Sequence, residues 1–214
     1  MRRFIYIFLL LQGIFAFAHE KIDSLSITFN QGSYVIDMSL DNNRATIDSV
    51  ISEMNKHLCD STLQLDRISI IGSSSPEGGV AVNNRVSLKR AQSVANLIKV
   101  DSITPDIEAI GRNWKGLKAL AEVDSRLPYR QKTLALLDDI IAQVDNGVTT
   151  ERQLTLLKRL AGGAPYRYMY KHYFPALRFS SVMLSYSIVE TPLPEPQPVE
   201  PQPIETVPLP SPNP

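Results

Sequence analysis

Hydrophobic and polar residues follow two different periods along the chain, and this pattern separates predicted strands from predicted helices. Alternating positions with β-branched and aromatic side chains predict strands at about 24–30 and 33–38. The Ile-rich segment 65–72 has the length of a buried strand and ends at a glycine, and segment 107–111 has a similar pattern. Segment 179–189 alternates again, so we expect it to form the last strand.

Between these strands the apolar residues recur at helical spacing. They predict helices at about 44–58, 84–99, 117–123, 133–144 and 150–161, the last closed by Gly162 and Gly163. Strand, helix, strand, helix and strand in this order up to residue 111 imply helices packed on one face of a mixed sheet. The later helices form an insertion at about 113–175, before the closing strand. The predicted fold class is therefore α+β, a sandwich of a helical layer on a mixed sheet with an extra helical insertion before the last strand.

The N-terminal end of the chain differs from the domain that we place at 19–190. Arg2 and Arg3 precede an apolar run of about 14 residues, and small residues follow it just before His19. This pattern predicts a signal peptide at 1–18, because a membrane-spanning helix needs about 20 apolar residues. Residue 19 is histidine and not cysteine, so a lipoprotein anchor is not expected.

The C-terminal end, residues 191–214, is a tail that contains ten of the 15 prolines. Proline at nearly alternate positions removes backbone donors and fixes φ, so neither a helix nor a sheet can form. We expect a disordered, extended segment of polyproline II type. It serves either as a spacer, which is the interpretation we favour, or as a docking peptide for a partner.

The composition excludes several classes of function. Lys+Arg and Asp+Glu both number 22, and this balance argues against a nucleic-acid-binding protein. The single cysteine, Cys59, excludes a disulfide framework and is expected to be buried, and the three histidines lie too far apart for a local metal motif. We predict no metal and no cofactor. The sequence contains no nucleophile elbow and no phosphate-binding loop, so we do not expect an enzyme.

Segment 71–98, IGSSSPEGGVAVNNRVSLKRAQSVANLI, carries the most informative motif. A predicted strand ends at Gly72, a loop follows, and the next helix contains Asn83 and Arg90-Ala91. This pattern resembles the signature of the OmpA-like C-terminal domain, a peptidoglycan-binding module of bacterial envelopes. The SPEG loop and the helical insertion resemble versions of this domain in Bacteroidetes surface proteins.

The resemblance implies a ligand-binding cleft around the loop. In the family, a loop aspartate binds the ammonium group of diaminopimelate and the arginine binds its carboxylate. Ser75 stands at the aspartate position here, so a negative charge would have to come from Glu77. The cleft that the resemblance predicts consists of Gly72, Ser74, Ser75, Glu77, Asn83 and Arg90. Asn83 would brace the loop, and Arg90 would bind the ligand; the alternative is that Arg90 is a structural or solvated arginine on a retained scaffold.

A second candidate surface, the run 159–178, interleaves tyrosines with arginine, lysine and histidine. Such a surface could bind sugar rings by stacking and envelope anions by charge. The alternative, which we favour, is that Tyr166, Tyr170 and Tyr173 share one helix face and pack the insertion onto the sheet.

Together these features predict an exported, non-enzymatic protein of the periplasm, associated with the outer membrane. Its expected partner is peptidoglycan or a related envelope component, which it would tether or organise. The alternative is a protein–protein assembly component of an outer-membrane or surface-appendage complex, in which the cleft is inert. We expect no nucleic-acid partner and no transmembrane segment in the mature chain.

Overall fold

The computed structural model describes residues 21–59, 63–99 and 103–188, and these contain a four-stranded sheet. Its strands are β1 (Lys21–Thr28), β2 (Leu63–Ser74), β3 (Asp106–Arg112) and β4 (Phe179–Ile188). They lie in the order β1-β4-β2-β3. β4 runs antiparallel to both of its neighbours, whereas β2 and β3 are parallel. The closing strand is therefore central in the sheet.

Two helices, α1 (Asn43–Cys59) and α2 (Val80–Leu97), share one core with this sheet. α2 connects β2 to β3, which is the crossover that two parallel neighbours require. Ile70 of β2 pairs with Val182 of β4, and both side chains are buried against the helices. Val94 of α2 lies in the same core. The alternating strand residues thus meet the apolar stripe of each helix, as their two periods predict.

The insertion between β3 and β4 has a core of its own. Its helices are α3 (Trp114–Val123), α4 (Arg130–Asp145), α5 (Glu151–Arg159) and α6 (Ala164–His172), with short 3-10 turns after α5 and α6. Leu117, Leu137, Leu157 and Phe174 are fully buried in this second core. The insertion is therefore a packed helical unit, and the described residues form two hydrophobic cores.

The fold class predicted from the sequence is confirmed, since helices pack on a mixed sheet and a helical insertion precedes the last strand. The strand predicted at 33–38 is wrong, because these residues form a loop. The Asp37 carboxylate accepts a 2.9 Å hydrogen bond from the N–H of Ser39, and the Asn43 amide donates a 2.8 Å bond to the Asp37 carbonyl. Side chains thus take up backbone groups that a strand would need for its ladder.

Other boundaries differ less. α2 begins at Val80, earlier than the predicted start at 84, and its N-cap is Gly79. Cys59, expected to be buried, is exposed at the end of α1. The predicted signal peptide at 1–18 and the predicted tail at 191–214 lie outside the described residues and stay predictions. In the described ranges, no helix has both the length and the apolar character needed to cross a bilayer.

Candidate ligand-binding cleft

The side chain of Asn83 contacts the loop between β2 and α2. The Asn83 side-chain amide donates a 2.8 Å hydrogen bond to the backbone carbonyl of Glu77. The hydroxyl of Ser74 donates to the carbonyl of Asn83 at 3.1 Å, which ties the end of β2 to the first turn of α2. Gly78 has a φ of +85°, a conformation that a residue without Cβ adopts freely. The loop therefore has one defined path over the start of α2.

Gly72 allows α2 to pack closely on β2, and it does not line the cleft. It is buried beneath α2, and a Cβ at this position would lie 1.9 Å from the carbonyl oxygen of Ser87. Real atoms never approach so closely, so any larger residue would push α2 away from β2. Gly72, near the end of β2, thus sets the distance between the sheet and α2, the helix that contains Asn83 and Arg90.

Arg90 is buried, with 1% of its surface exposed, and its guanidinium binds backbone carbonyls. Its Nε donates to Ser33 at 2.9 Å, one Nη to Ser73 at 2.7 Å, and the other Nη to Asn30 at 3.1 Å. Burial is the main reason that its pKa falls to about 10; the charge of Arg178 adds to this and that of Glu77 opposes it. Arg90 therefore joins the 30–33 loop to β2.

The charged groups at the cleft are Glu77 and Arg178. The Nη2 and Nε atoms of Arg178 donate to Oε1 of Glu77 at 2.8 Å and 3.1 Å, and Nε also donates to the Ser75 hydroxyl at 3.3 Å. The side chains of Arg178 and Glu77 are only 12% and 15% exposed. The second oxygen of Glu77, Oε2, is buried and has no hydrogen-bond partner among the described residues. The pair thus holds a carboxylate oxygen that is both shielded from solvent and unpaired, which is energetically costly.

Arg178 was missed as a site residue by the sequence-based prediction. It stands immediately before β4 and is separated from Glu77 by 101 positions. The one available signal was that β4 closes the sheet, because a residue at its start then lies near the end of the neighbouring β2. That geometry brings Arg178 to the loop.

The cleft itself is small, with a volume of about 160 Å³. Five of the six predicted residues line it, namely Ser74, Ser75, Glu77, Asn83 and the buried Arg90, whereas Gly72 does not. The rest of the lining comes from the loop after β1, the β2–α2 loop and α2, with Gln31, Gly32, Gly78, Val82 and Val86. A volume of this size is well below the several hundred Å³ of pockets for whole small molecules, so it suits one polar head group.

The insertion clamps the far side of the loop. Arg112, whose side chain is 2% exposed, donates to the carbonyls of Gly78 and Thr150 and to the carboxylate of Glu151. Glu151, the first residue of α5, accepts a 2.6 Å hydrogen bond from the N–H of Val80 at the start of α2. This bond, followed by that from Arg112, lowers the pKa of Glu151. The loop is thus held between the sheet and the insertion.

The aromatic residues of 159–178 pack within the insertion, which corrects the expectation that they pack it onto the sheet. Tyr173 lies in the insertion core, and Tyr166 packs at its edge with its ring centroid 5.6 Å from that of Phe174. Burial, and next the charge of Glu77, raises the pKa of Tyr166. Tyr170 is exposed, and its hydroxyl lies 3.3 Å from the side-chain nitrogen of Gln31. α6 thus lies beside the cleft.

A carboxylate at the end of α3 organises the other tyrosines of this run. Asp124 accepts hydrogen bonds from the hydroxyls of Tyr168 at 2.7 Å and Tyr173 at 3.0 Å, and from the N–H of Arg126 at 2.8 Å. These bonds, that of Tyr168 foremost, hold the pKa of Asp124 well below its usual value. Burial, followed by the same contact, raises the pKa of Tyr173. Asp124 therefore joins α3 to α6.

In the part of the chain that the structure describes, no group of three or more His, Cys, Asp or Glu side chains is placed to hold a metal ion. The cleft instead offers a carboxylate, a guanidinium and serine hydroxyls, which are hydrogen-bonding and ion-pairing groups.

No protein-family model and no curated protein matches the chain. Among solved structures, the chain is similar to the peptidoglycan-associated lipoprotein from Burkholderia pseudomallei, with 20% sequence identity. The match covers 42% of this chain and 70% of that chain, with a TM-score of 0.32. This similarity is too weak to assign a family. The resemblance to the OmpA-like family therefore rests on the sequence motif and stays a prediction.

Proposed function

We propose that the chain is an exported, non-enzymatic envelope protein whose cleft binds peptidoglycan. The observation that supports this proposal best is the Glu77–Arg178 pair, which lies at the loop that the sequence motif identifies. A buried carboxylate oxygen without a partner is costly, so the cleft gains free energy when a ligand supplies a donor.

The chemistry of the pair fits a head group that carries an ammonium and a carboxylate, as the diamino acid of a peptidoglycan stem peptide does. The ammonium pairs with the Glu77 carboxylate, whose buried Oε2 turns toward the cleft to accept it. The guanidinium of Arg178 donates to the carboxylate of the ligand. Ser75 contributes a neutral hydroxyl next to both. Arg90 holds the backbone around the cleft, so Arg178 takes the role in ligand binding that the sequence motif assigns to Arg90.

The place of action that follows is the periplasm, in association with the outer membrane, with the predicted signal peptide directing export. There the domain would tether the envelope layer to the wall or organise it. The predicted tail would act as a spacer between the domain and whatever holds its far end.

Co-sedimentation with purified peptidoglycan tests this function. We expect the full chain to sediment with the polymer, and Glu77→Gln to abolish most of this binding because it removes the charge that pairs with the ammonium. Glu122→Gln is the matched control, since Glu122 is an exposed carboxylate of the insertion that pairs with Lys118. Absence of the parent chain from the pellet would overturn the proposal.

One observation favours a second function, that of an assembly component with an inert cleft. The arginine expected to bind the ligand has its guanidinium engaged by three backbone carbonyls. In that case the insertion and the predicted tail would contact partner proteins of an outer-membrane or surface-appendage complex. Immobilised tail peptide that captures one defined outer-membrane protein from envelope extract, while a scrambled peptide does not, would support this function.

A further inference from the structure

The cleft is continuous with an exposed aromatic rim on α6. The hydroxyl of Tyr170 lies 3.3 Å from Nε2 and 3.4 Å from Oε1 of Gln31, and Gln31 lines the cleft. Tyr170 remains 41% exposed, although its ring also lies against Tyr166 and Phe174, with centroids 6.1 Å and 5.7 Å away. The ring is therefore fixed by its neighbours and still open to solvent.

An apolar side chain of α2 is also exposed at the cleft. Val82, which lines the cleft, is 46% exposed. Tyr170 and Val82 are thus exposed apolar side chains beside one opening, and such groups mark an interaction surface.

The groups beside the Tyr170 ring are polar and basic. Gln31 is bonded to Tyr170 only at long distances, so its amide can exchange partners with an incoming hydroxyl. α6 adds the exposed side chains of Arg167, Lys171 and His172, and it contains no acidic residue. A fixed ring with polar groups beside it suits a sugar, because a pyranose has an apolar face and a rim of hydroxyls.

The small volume of the cleft decides which part of a polymer reaches this rim. At about 160 Å³ it holds a head group, so the rest of a larger ligand leaves through the opening, beside which Gln31 and Tyr170 lie. In peptidoglycan, the stem peptide is covalently attached to the glycan strand. A stem peptide in the cleft thus brings sugars to the surface outside it.

We propose that Tyr170, with Gln31 beside it, forms a sugar-binding subsite for the glycan strand of peptidoglycan. This inference rests on the proposed function, because it takes the stem peptide to occupy the cleft. The ring of Tyr170 covers the apolar face of a sugar, and Gln31 bonds to its hydroxyls. The helical insertion then contributes to ligand recognition through α6.

Calorimetric titration of the full chain with two soluble ligands tests the subsite. One ligand is the free stem peptide, and the other is the same peptide attached to its disaccharide. We expect the disaccharide form to bind about three- to tenfold more tightly, the increment typical of one or two aromatic contacts. Tyr170→Ala should remove most of this difference and leave the affinity for the free peptide unchanged, whereas Tyr170→Phe should keep it.

Tyr129→Ala is the matched control, since Tyr129 is an exposed tyrosine of the insertion before α4 and should leave both affinities unchanged. If Tyr170→Ala fails to fold, Gln31→Ala tests the same subsite from the other element, since the Gln31 amide contacts the Tyr170 hydroxyl. Equal binding of the two ligands by the parent chain would overturn the inference alone. Binding of neither ligand would overturn the proposed function and this subsite with it.

Discussion

The sheet-and-helix half of the molecule and the helical insertion have separate hydrophobic cores, and they contribute differently to the cleft. The first half contains the recognisable motif and supplies the loop, its brace Asn83 and the carboxylate of Glu77. The insertion clamps the loop through Glu151, and the chain leaving it supplies Arg178. A motif can therefore mark the position of a site while some of its charged groups come from elsewhere in the chain.

The two arginines show this difference most clearly. Arg90 belongs to the motif, is 1% exposed and donates to three backbone carbonyls. Arg178 lies outside the motif and pairs with the cleft carboxylate. We infer that Arg90 stabilises the fold and that Arg178 binds ligand, and the predictions below separate these two roles.

The largest effect on stability is expected for Arg90→Ala. The substitution leaves the carbonyls of Asn30, Ser33 and Ser73 without a donor, so we expect a loss of about 3 kcal/mol or more in the free energy of unfolding. Urea unfolding followed by circular dichroism measures this. Lys89→Ala, on the exposed face of the same helix, should cost less than about 1 kcal/mol. Equal losses for the two variants would contradict a structural role for Arg90.

Gly72→Ala should have the next largest effect. Its Cβ would lie 1.9 Å from the Ser87 carbonyl oxygen, so α2 must move away from β2, and overpacking of this kind costs about 1–3 kcal/mol. Gly79→Ala is the comparison, because Gly79 has a φ of −74° and the nearest atom to its new Cβ, Oε1 of Glu151, would lie 3.3 Å away. If both variants unfold at the same urea concentration, the close approach at Gly72 is not what sets the helix position.

The insertion should lose stability in acid through Asp124. The folded-state pKa of this carboxyl is depressed, so its contribution is complete above the unfolded value near 4 and is lost as the pH falls below it. Trp114 is the single tryptophan and is buried in the insertion core, so its fluorescence reports unfolding of this half. We expect the urea midpoint to fall between pH 5 and pH 3.

Asp124→Asn should reduce this pH dependence, whereas Asp145→Asn, which changes an exposed partner of Lys115, should leave it unchanged. A parent chain and an Asp124→Asn variant with the same pH dependence would show that the Tyr168 and Tyr173 contacts do not stabilise the ionised form.

A smaller and more local effect is expected for Glu151→Gln. The amide retains an acceptor for the N–H of Val80 but loses the charge that pairs with Arg112. We expect severalfold faster hydrogen exchange of the backbone amides at 78–80, with the amides of α4 unchanged. Glu122→Gln should alter neither set. Unchanged exchange at 78–80 in Glu151→Gln would show that the insertion does not clamp the loop.

The fold could largely be predicted from the sequence, because the periods of apolar residues are local properties of each segment. Alternation at 179–189 and helical spacing at 133–144 both predicted elements that the structure contains. The segment 33–38 also alternates, yet it forms a loop, because the side chains of Asp37 and Asn43 bind its backbone groups and Arg90 binds the carbonyl of Ser33. Those partners are not visible in the pattern.

The candidate site could be predicted only in part. The motif located the loop, and Glu77 was named because it is the acidic residue nearest to the position where aspartate is usual. Its pairing with Arg178 depends on a contact across 101 positions, and the clamp of Glu151 on Val80 on one across 71. Contacts between residues so far apart depend on how the folded elements pack together. The spacing of residue types along the chain does not reveal this packing.

The most direct test of the central claim is the co-sedimentation of Arg178→Ala with peptidoglycan. Arg67→Ala is the matched control, since Arg67 is an exposed arginine that pairs with Asp106 on the sheet. With Trp114 fluorescence showing that both variants are folded, we predict that Arg178→Ala loses most of the binding and that Arg67→Ala binds as the parent chain does. Retention of full binding by Arg178→Ala would contradict the assignment of the cleft to this arginine.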